Sequence, residues 1–163
     1  MKNCIVIVGK IASGKSTIAR EIARALNYEF IEVSDIVREL TGRERDTIRL
    51  NDLTGTVIAA ELRKELDLTG DYVISGPRQV EILAELSVHF KMYFIKIDVS
   101  EAERARRAME REGSTREQVR AGDELDAQLG FDKVLKVRGY TIRGSKSLQE
   151  NIDTILSYLA PKE

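Results

Sequence analysis

The stretch GKIASGKS, Gly9 to Ser16, decides the fold. It matches G-x-x-x-x-G-K-[ST] without interruption, follows the apolar run Cys4 to Val8, and leads into a helix-patterned segment that begins near Lys15. The spacing has a physical reason. Gly9 and Gly14 let the backbone fold back so that consecutive N–H groups point inward at the N-terminus of the next helix, where anions are favoured. Lys15 then reaches the β- and γ-phosphates of a nucleoside triphosphate, and the Ser16 hydroxyl ligates Mg²⁺. This reading assigns Gly9, Lys10, Ile11, Ala12, Ser13, Gly14, Lys15, Ser16 and Thr17 to ATP binding, with Ser16 on the metal. The alternative is a glycine-rich turn without a ligand; the strand before it and the amphipathic helix after it argue against that.

Outward from the loop, short apolar runs alternate with helical patterns. Ile5–Val8, Phe30–Val33, Tyr72–Ser75, Met92–Val99 and Tyr140–Ile142 read as strands. Between them, Ile18, Ile22, Ala25 and Leu26, then Ile58, Leu62 and Leu66, and finally Leu148, Ile152, Ile155 and Leu159 recur at helical spacing. The alternation predicts one α/β domain over residues 1–163: a three-layer sandwich around a central, mostly parallel, five-stranded sheet. No internal repeat, low-complexity tract or Pro/Gly/Ser linker interrupts it, and Pro77 and Pro161 are the only prolines.

Composition narrows the class. A chain of 163 residues suits one domain of ordinary size and is short for a helicase. Its formal charge of −1 argues against a surface that coats extended nucleic acid. Cys4, the only cysteine, cannot form an intrachain disulfide, and it reads as a small core residue in a reducing, cytoplasmic protein. Neither a long apolar span nor a charged, apolar leader stands out, so membrane and secretory placement are not expected. His89, the sole histidine, lacks a partner at metal-ligand spacing and reads as a surface or helix-end residue. The five tyrosines are scattered and form no stacking platform.

Two polar stretches break the rhythm. Thr41–Gly55 carries Gly42, Arg43, Arg45, Arg49 and a turn-like Asn51-Asp52, and suits a flap over an acceptor. Gly113–Gly122 suits an exposed connection that acts as a short lid. A solvated loop with no ligand role is the alternative for each.

Taken together, the chain resembles the nucleoside-monophosphate kinase branch of phosphate-loop proteins, including the small adenylate-kinase-related and phage deoxynucleoside-monophosphate kinases. VSDIVREL, Val33 to Leu40, looks like that family's second-strand segment, whose Asp and Arg face the acceptor monophosphate; Asp35 and Arg38 take those places. YVISGPRQ, Tyr72 to Gln79, is similar to its strand and following turn, which puts Arg78 on the acceptor phosphate and Gln79 near the base. IDVSEAERARRAMER, Ile97 to Arg111, looks like the helix that brings arginines to the transferring phosphoryl group, with Arg104, Arg107 and Arg111 matching. RGYTIRG, Arg138 to Gly144, is a weaker match to the final strand and donor-supporting loop. The resemblance implies an ATP- and Mg²⁺-dependent transferase, with catalytic Lys15, Arg104 and Arg107 and a small (deoxy)nucleoside monophosphate as acceptor. One departure stands out. Ser75 occupies the place where the family carries an Asp that orients Mg²⁺ through water, so Asp35, or Ser16 with the triphosphate alone, has to serve instead. With a single cysteine, no zinc clamp holds a lid.

The arginine helix can also be read from geometry. At 3.6 residues per turn, Arg104, Arg107 and Arg111 fall within about 60° of helix circumference and form one cationic face. That face is either solvated and braced by a Glu103–Arg107 pair, or turned toward phosphate, where planar, permanently charged groups neutralise equatorial oxygens. Three functions follow: phosphorylation of a nucleoside monophosphate; phosphorylation of a hydroxyl, as in dephospho-coenzyme A kinases, with Asp35 as general base; or a nucleotide-binding regulatory module with little turnover.

Overall fold

The computed structural model describes residues 1–42, 54–144 and 146–161. Among them, five strands form a single sheet: β1 (Asn3–Gly9), β2 (Glu29–Glu32), β3 (Tyr72–Ser75), β4 (Lys91–Asp98) and β5 (Tyr140–Arg143). Their spatial order is β2-β3-β1-β4-β5, and all four pairings are parallel. The helices are α1 (Lys15–Leu26), α2 (Val33–Thr41), α3 (Gly55–Glu65), α4 (Val80–His89), α5 (Glu101–Glu112), α6 (Arg116–Gln128), α7 (Phe131–Leu135) and α8 (Leu148–Leu159).

The strand alternation sorts the core into two layers. Ile5, Ile7, Val73, Ile95, Ile97 and Ile142 face α1 and α8, where they meet Ile18, Ile22, Ile152 and Ile155. On the other side Cys4, Val6, Val8, Tyr72, Ile74 and Phe94 face residues of α2, α3, α4 and α7, including Ile36, Leu62, Leu86 and Phe131. Cys4 is a core residue, and burial pushes its thiol pKa up to about 12, so it stays protonated.

Several boundaries differ from the sequence expectation. β2 ends at Glu32 rather than Val33, and VSDIVREL is a helix rather than a second-strand segment. The reason is periodicity: Val33, Ile36 and Val37 recur at helical spacing and bury one stripe of α2 in the core. Gln79 is the N-cap residue of α4, which extends to His89. Most of 113–122 is helical as well. Gly113 closes α5 in a left-handed turn, Thr115 and Gln118 form a capping box, and α6 starts at Arg116. Of the flap expected over Thr41–Gly55, Thr41 closes α2, Gly42 is its C-cap, and Thr54 caps α3 through Val57 N–H. The rest of that stretch, including Arg43, Arg45 and Arg49, lies outside the described residues.

Because every strand runs the same way, the segments after β1, β2, β3 and β4 all emerge at one sheet edge. There the chain order reverses across β1, which is where doubly wound sheets open a crevice.

Candidate active site

The loop between β1 and α1 is built around its own carbonyls and amides. Ser13 N–H donates to Lys10 O at 3.1 Å, and Ile18 N–H to Gly14 O at 3.1 Å. Gly14 sits at φ 87° and Ala12 at φ 61°, so left-handed residues alternate with ordinary ones, a geometry that turns successive amides to one side. Gly9 has no room for a side chain: a Cβ there would stand 2.3 Å from Ser13 Oγ and 3.1 Å from Ile97 O. α1 starts without a side-chain cap and without an acidic residue in its first turn, which leaves its amide end to an anion.

Above the loop lies a cavity of ≈ 660 Å³, the size of ordinary ligand sites. Residues 11–17 form its floor, Ser34 and Arg38 of α2 one wall, and Arg111 of α5 with Gln118 and Gly122 of α6 the other. Ion pairing joins Arg38 to Asp35 one turn earlier, with both side chains about half exposed. Arg38, on the helix after β2, and Arg111, on the helix after β4, thus add positive charge to the cavity that Lys15 and Ser16 also line.

The resemblance sets Arg104 at the transferring phosphoryl group; in the structure its guanidinium is buried and bonded within the protein. It is only 3% exposed. Its Nη1 and Nη2 donate to both carboxylate oxygens of Asp123 at 3.0 Å, its Nε to Val99 O at 3.2 Å, and Nη1 also to Ile11 O at 3.2 Å. The guanidinium therefore ties α6, the end of β4 and the phosphate loop together. Arg107 lies against the loop: Nη1 donates to Ser13 O at 3.2 Å and Nη2 to Gly144 O at 2.6 Å. Its Nε donates to Glu103 Oε1 at 3.2 Å, the expected i, i+4 pair. Hydrogen bonds from Arg106 and then Arg107 hold the Glu103 carboxyl down at about 2, so this partner stays ionised at working pH. Arg111, on the same helical face, lines the cavity. The cationic face is thus neither solvated throughout nor aimed at phosphate throughout.

Beyond β3 the chain turns at Gly76, whose φ of 79° suits glycine and whose N–H donates to Ile7 O at 3.0 Å. Arg78 follows, 6% exposed. Its Nη1 donates to Gly76 O at 2.9 Å, its Nε pairs with Asp126 at 3.2 Å, and its guanidinium lies 4.8 Å from the Phe131 ring centre. Gln79 opens onto a smaller cavity of ≈ 280 Å³ bounded by Thr54, Glu81, Gly130 and Lys133.

Glu32, to which sequence reasoning assigns no role, ends β2 in register with Ser75. Only 9% of Glu32 and none of Ser75 is exposed, and Glu32 Oε2 and Ser75 Oγ are buried without a hydrogen-bond partner among the described residues. A Cβ on Gly76 would stand 3.0 Å from Glu32 Oε1 and 3.5 Å from Lys15 Cε, so the carboxylate sits beside the loop lysine. An acidic residue closing an apolar strand at the loop's own edge was the available signal. Asp123 and Asp126, which anchor Arg104 and Arg78, offered none in a polar helix.

The oxygen groups at this edge fit a hard divalent cation: the Ser16 hydroxyl on the cavity floor, and the orphaned Ser75 hydroxyl and Glu32 carboxylate at the strand ends. Among the described residues no cluster of three or more His, Cys, Asp or Glu forms a separate metal centre, and no helix is long and apolar enough to cross a membrane. His89 pairs with Glu85 at 3.3 Å along α4.

Comparison with known proteins agrees with this architecture. A family model described as an AAA domain matches residues 4–130. A UPF0200 protein of Aeropyrum pernix is 29% identical over 161 residues, covering 90% of this chain and 86% of its own. A shikimate kinase of Vibrio cholerae is 33% identical over 95 residues, which cover 42% of this chain; the match spans 55% of that relative's length. Among solved structures, a gluconokinase from Sinorhizobium meliloti 1021 superposes with a TM-score of 0.69 at 21% identity, over 95% of this chain and 90% of its own, and so shares the fold.

Proposed function

The chain belongs to the AAA-domain family of phosphate-loop proteins, and from that premise we propose that it is a kinase transferring the γ-phosphoryl group of ATP to a small anionic acceptor, a nucleoside or deoxynucleoside monophosphate. The observation that carries this reading is one cavity lined by Lys15 and Ser16 of the phosphate loop together with Arg38 of α2 and Arg111 of α5. Shikimate kinase and gluconokinase among the similar proteins support small-molecule phosphotransfer.

In this reading the loop amides and the α1 N-terminus cradle the β-phosphate, and Lys15 meets the β- and γ-phosphates. Ser16 would hold Mg²⁺ beside the loop, and the ion would supply neutralisation of the phosphate charge. Arg38 binds the acceptor's phosphate. Arg78, tied to Gly76 O and Asp126, holds the turn that borders the acceptor side, while Gln79 lies toward the acceptor's base. Arg107, bonded to Ser13 O, keeps the loop in its anion-binding shape. Arg111 replaces Arg104 as the arginine that approaches the transferring group. The first turns of α6, within 113–122, act as the lid.

A hydroxyl acceptor is the second reading, favoured by the shikimate kinase similarity and by Asp35 next to the cavity wall, where it meets Arg38. The two readings part at Asp35. A monophosphate, with a second pKa near ~6, already presents an ionised oxygen at neutral pH, whereas a hydroxyl needs a base worth about 10² to 10⁴-fold. Asp35→Asn is therefore expected to lower kcat by less than about tenfold. A loss of several orders of magnitude with unchanged acceptor KM selects the hydroxyl reading. The deciding measurement is ATP turnover against a panel of ribo- and deoxynucleoside monophosphates, dephospho-coenzyme A, shikimate and gluconate. Turnover confined to monophosphates is expected; ADP binding without turnover on any acceptor points to a regulatory module.

A further inference from the structure

A buried carboxylate without a hydrogen-bond partner is costly, because its charge has left water and found no donor in return. Glu32 Oε2 is such an atom, and the Ser75 hydroxyl beside it is a second orphan. Register partners on adjacent parallel strands lie about 4.8 Å apart and direct their side chains to the same face. Glu32 and Ser75 are such partners, at the strand ends beside the phosphate loop. An acidic side chain at the end of β2 therefore reaches the volume that one at the end of β3 would reach, and Glu32 Oε1 stands beside the Gly76 turn and the Lys15 stem.

We infer that Glu32 supplies from β2 the metal-side carboxylate that is missing at Ser75 on β3, so that the Glu32 carboxylate and the Ser75 hydroxyl together order the water shell of the Mg²⁺ held at Ser16. The inference rests on the nucleotide-binding half of the proposed function and needs no particular acceptor. It explains why β3 tolerates a serine and why two polar groups are kept buried without protein partners. The competing role for Glu32 is charge balance: Arg78 Nη1 and Lys15 Cε stand 3.4 and 3.5 Å from the same Gly76 Cβ position.

The test is equilibrium binding of ADP to the full chain by calorimetry, in EDTA and in saturating Mg²⁺. The ratio of the two dissociation constants measures how strongly metal and nucleotide cooperate. In Glu32→Gln that ratio is expected to fall by about tenfold, the low end of what outer-shell changes cost in metal affinity, with the affinity in EDTA changed by less than about twofold. The double variant Glu32→Gln/Ser75→Asp, with its carboxylate moved back to β3, is expected to recover most of the ratio. Ser75→Asp alone is expected to lower the melting temperature, since it sets two carboxylates side by side in a buried register pair.

An unchanged ratio in Glu32→Gln, or a double variant that folds without recovering it, overturns the assignment. Loss of folding in both variants overturns it too, and returns Glu32 to charge balance. Failure of the kinase reading would appear separately, as absent turnover across the acceptor panel while the metal ratio still depends on Glu32.

Discussion

Lys15→Ala is expected to reduce phosphotransfer by a factor on the order of 10² or more, the size of loss seen when one oriented charge stabiliser is removed. Lys15 is the first residue of α1 and lies on the cavity floor. Truncation takes away the one cation that the loop itself directs toward the β- and γ-phosphates, while the amide cradle and the Gly14 turn remain. Steady-state kinetics with saturating ATP and acceptor measures the fall, and circular dichroism checks that the fold persists, since Lys15 belongs to neither apolar core. Turnover close to wild type in a folded variant would remove Lys15 from the mechanism and with it the main support for kinase chemistry.

Arg104→Ala is expected to act on stability instead of on kcat. The side chain is 3% exposed, and its deletion strands the Asp123 carboxylate, 20% exposed, and takes a donor from both Ile11 O and Val99 O. Breaking a buried pair by removing one partner costs about 3 to 5 kcal/mol. For a chain of this length that is a fall in melting temperature of roughly 6 to 20 °C. Calorimetry reads it directly. Arg111→Ala, on the exposed end of the same helical face, should leave the melting temperature near wild type and lower kcat instead. A stable Arg104→Ala protein with depressed kcat would restore Arg104 to the phosphoryl group.

These two arginines show where a helical wheel stops being informative. Their spacing puts them on one face, yet Arg104 is buried and Arg111 is exposed, because a wheel does not say what stands opposite each turn. Asp123 and Ile11 O meet the N-terminal part of α5, whereas the cavity opens only at its C-terminal end. Asp123 lies on α6 just past the 113–122 stretch whose polarity reads as a loop, so its approach could not be anticipated. The same holds for VSDIVREL: the resemblance sets Asp35 and Arg38 in a second-strand segment, whereas they lie on helix α2, where one turn of spacing joins them as an ion pair.

The phosphate loop, the parallel sheet and the two apolar layers were legible in the linear order of residues, because each depends on local pattern: four fixed positions that bend a backbone toward an anion, and continuous apolar runs such as Cys4–Val8 that bury both faces of a central strand. Which charged groups meet was decided only in three dimensions. Register brought Glu32 beside Ser75, packing brought Asp126 to Arg78, and helix α6 carried Asp123 across to Arg104. Long-range pairs of this kind leave no period in the sequence, since a charge finds its partner through the geometry of the whole sheet edge and not through its neighbours in the chain.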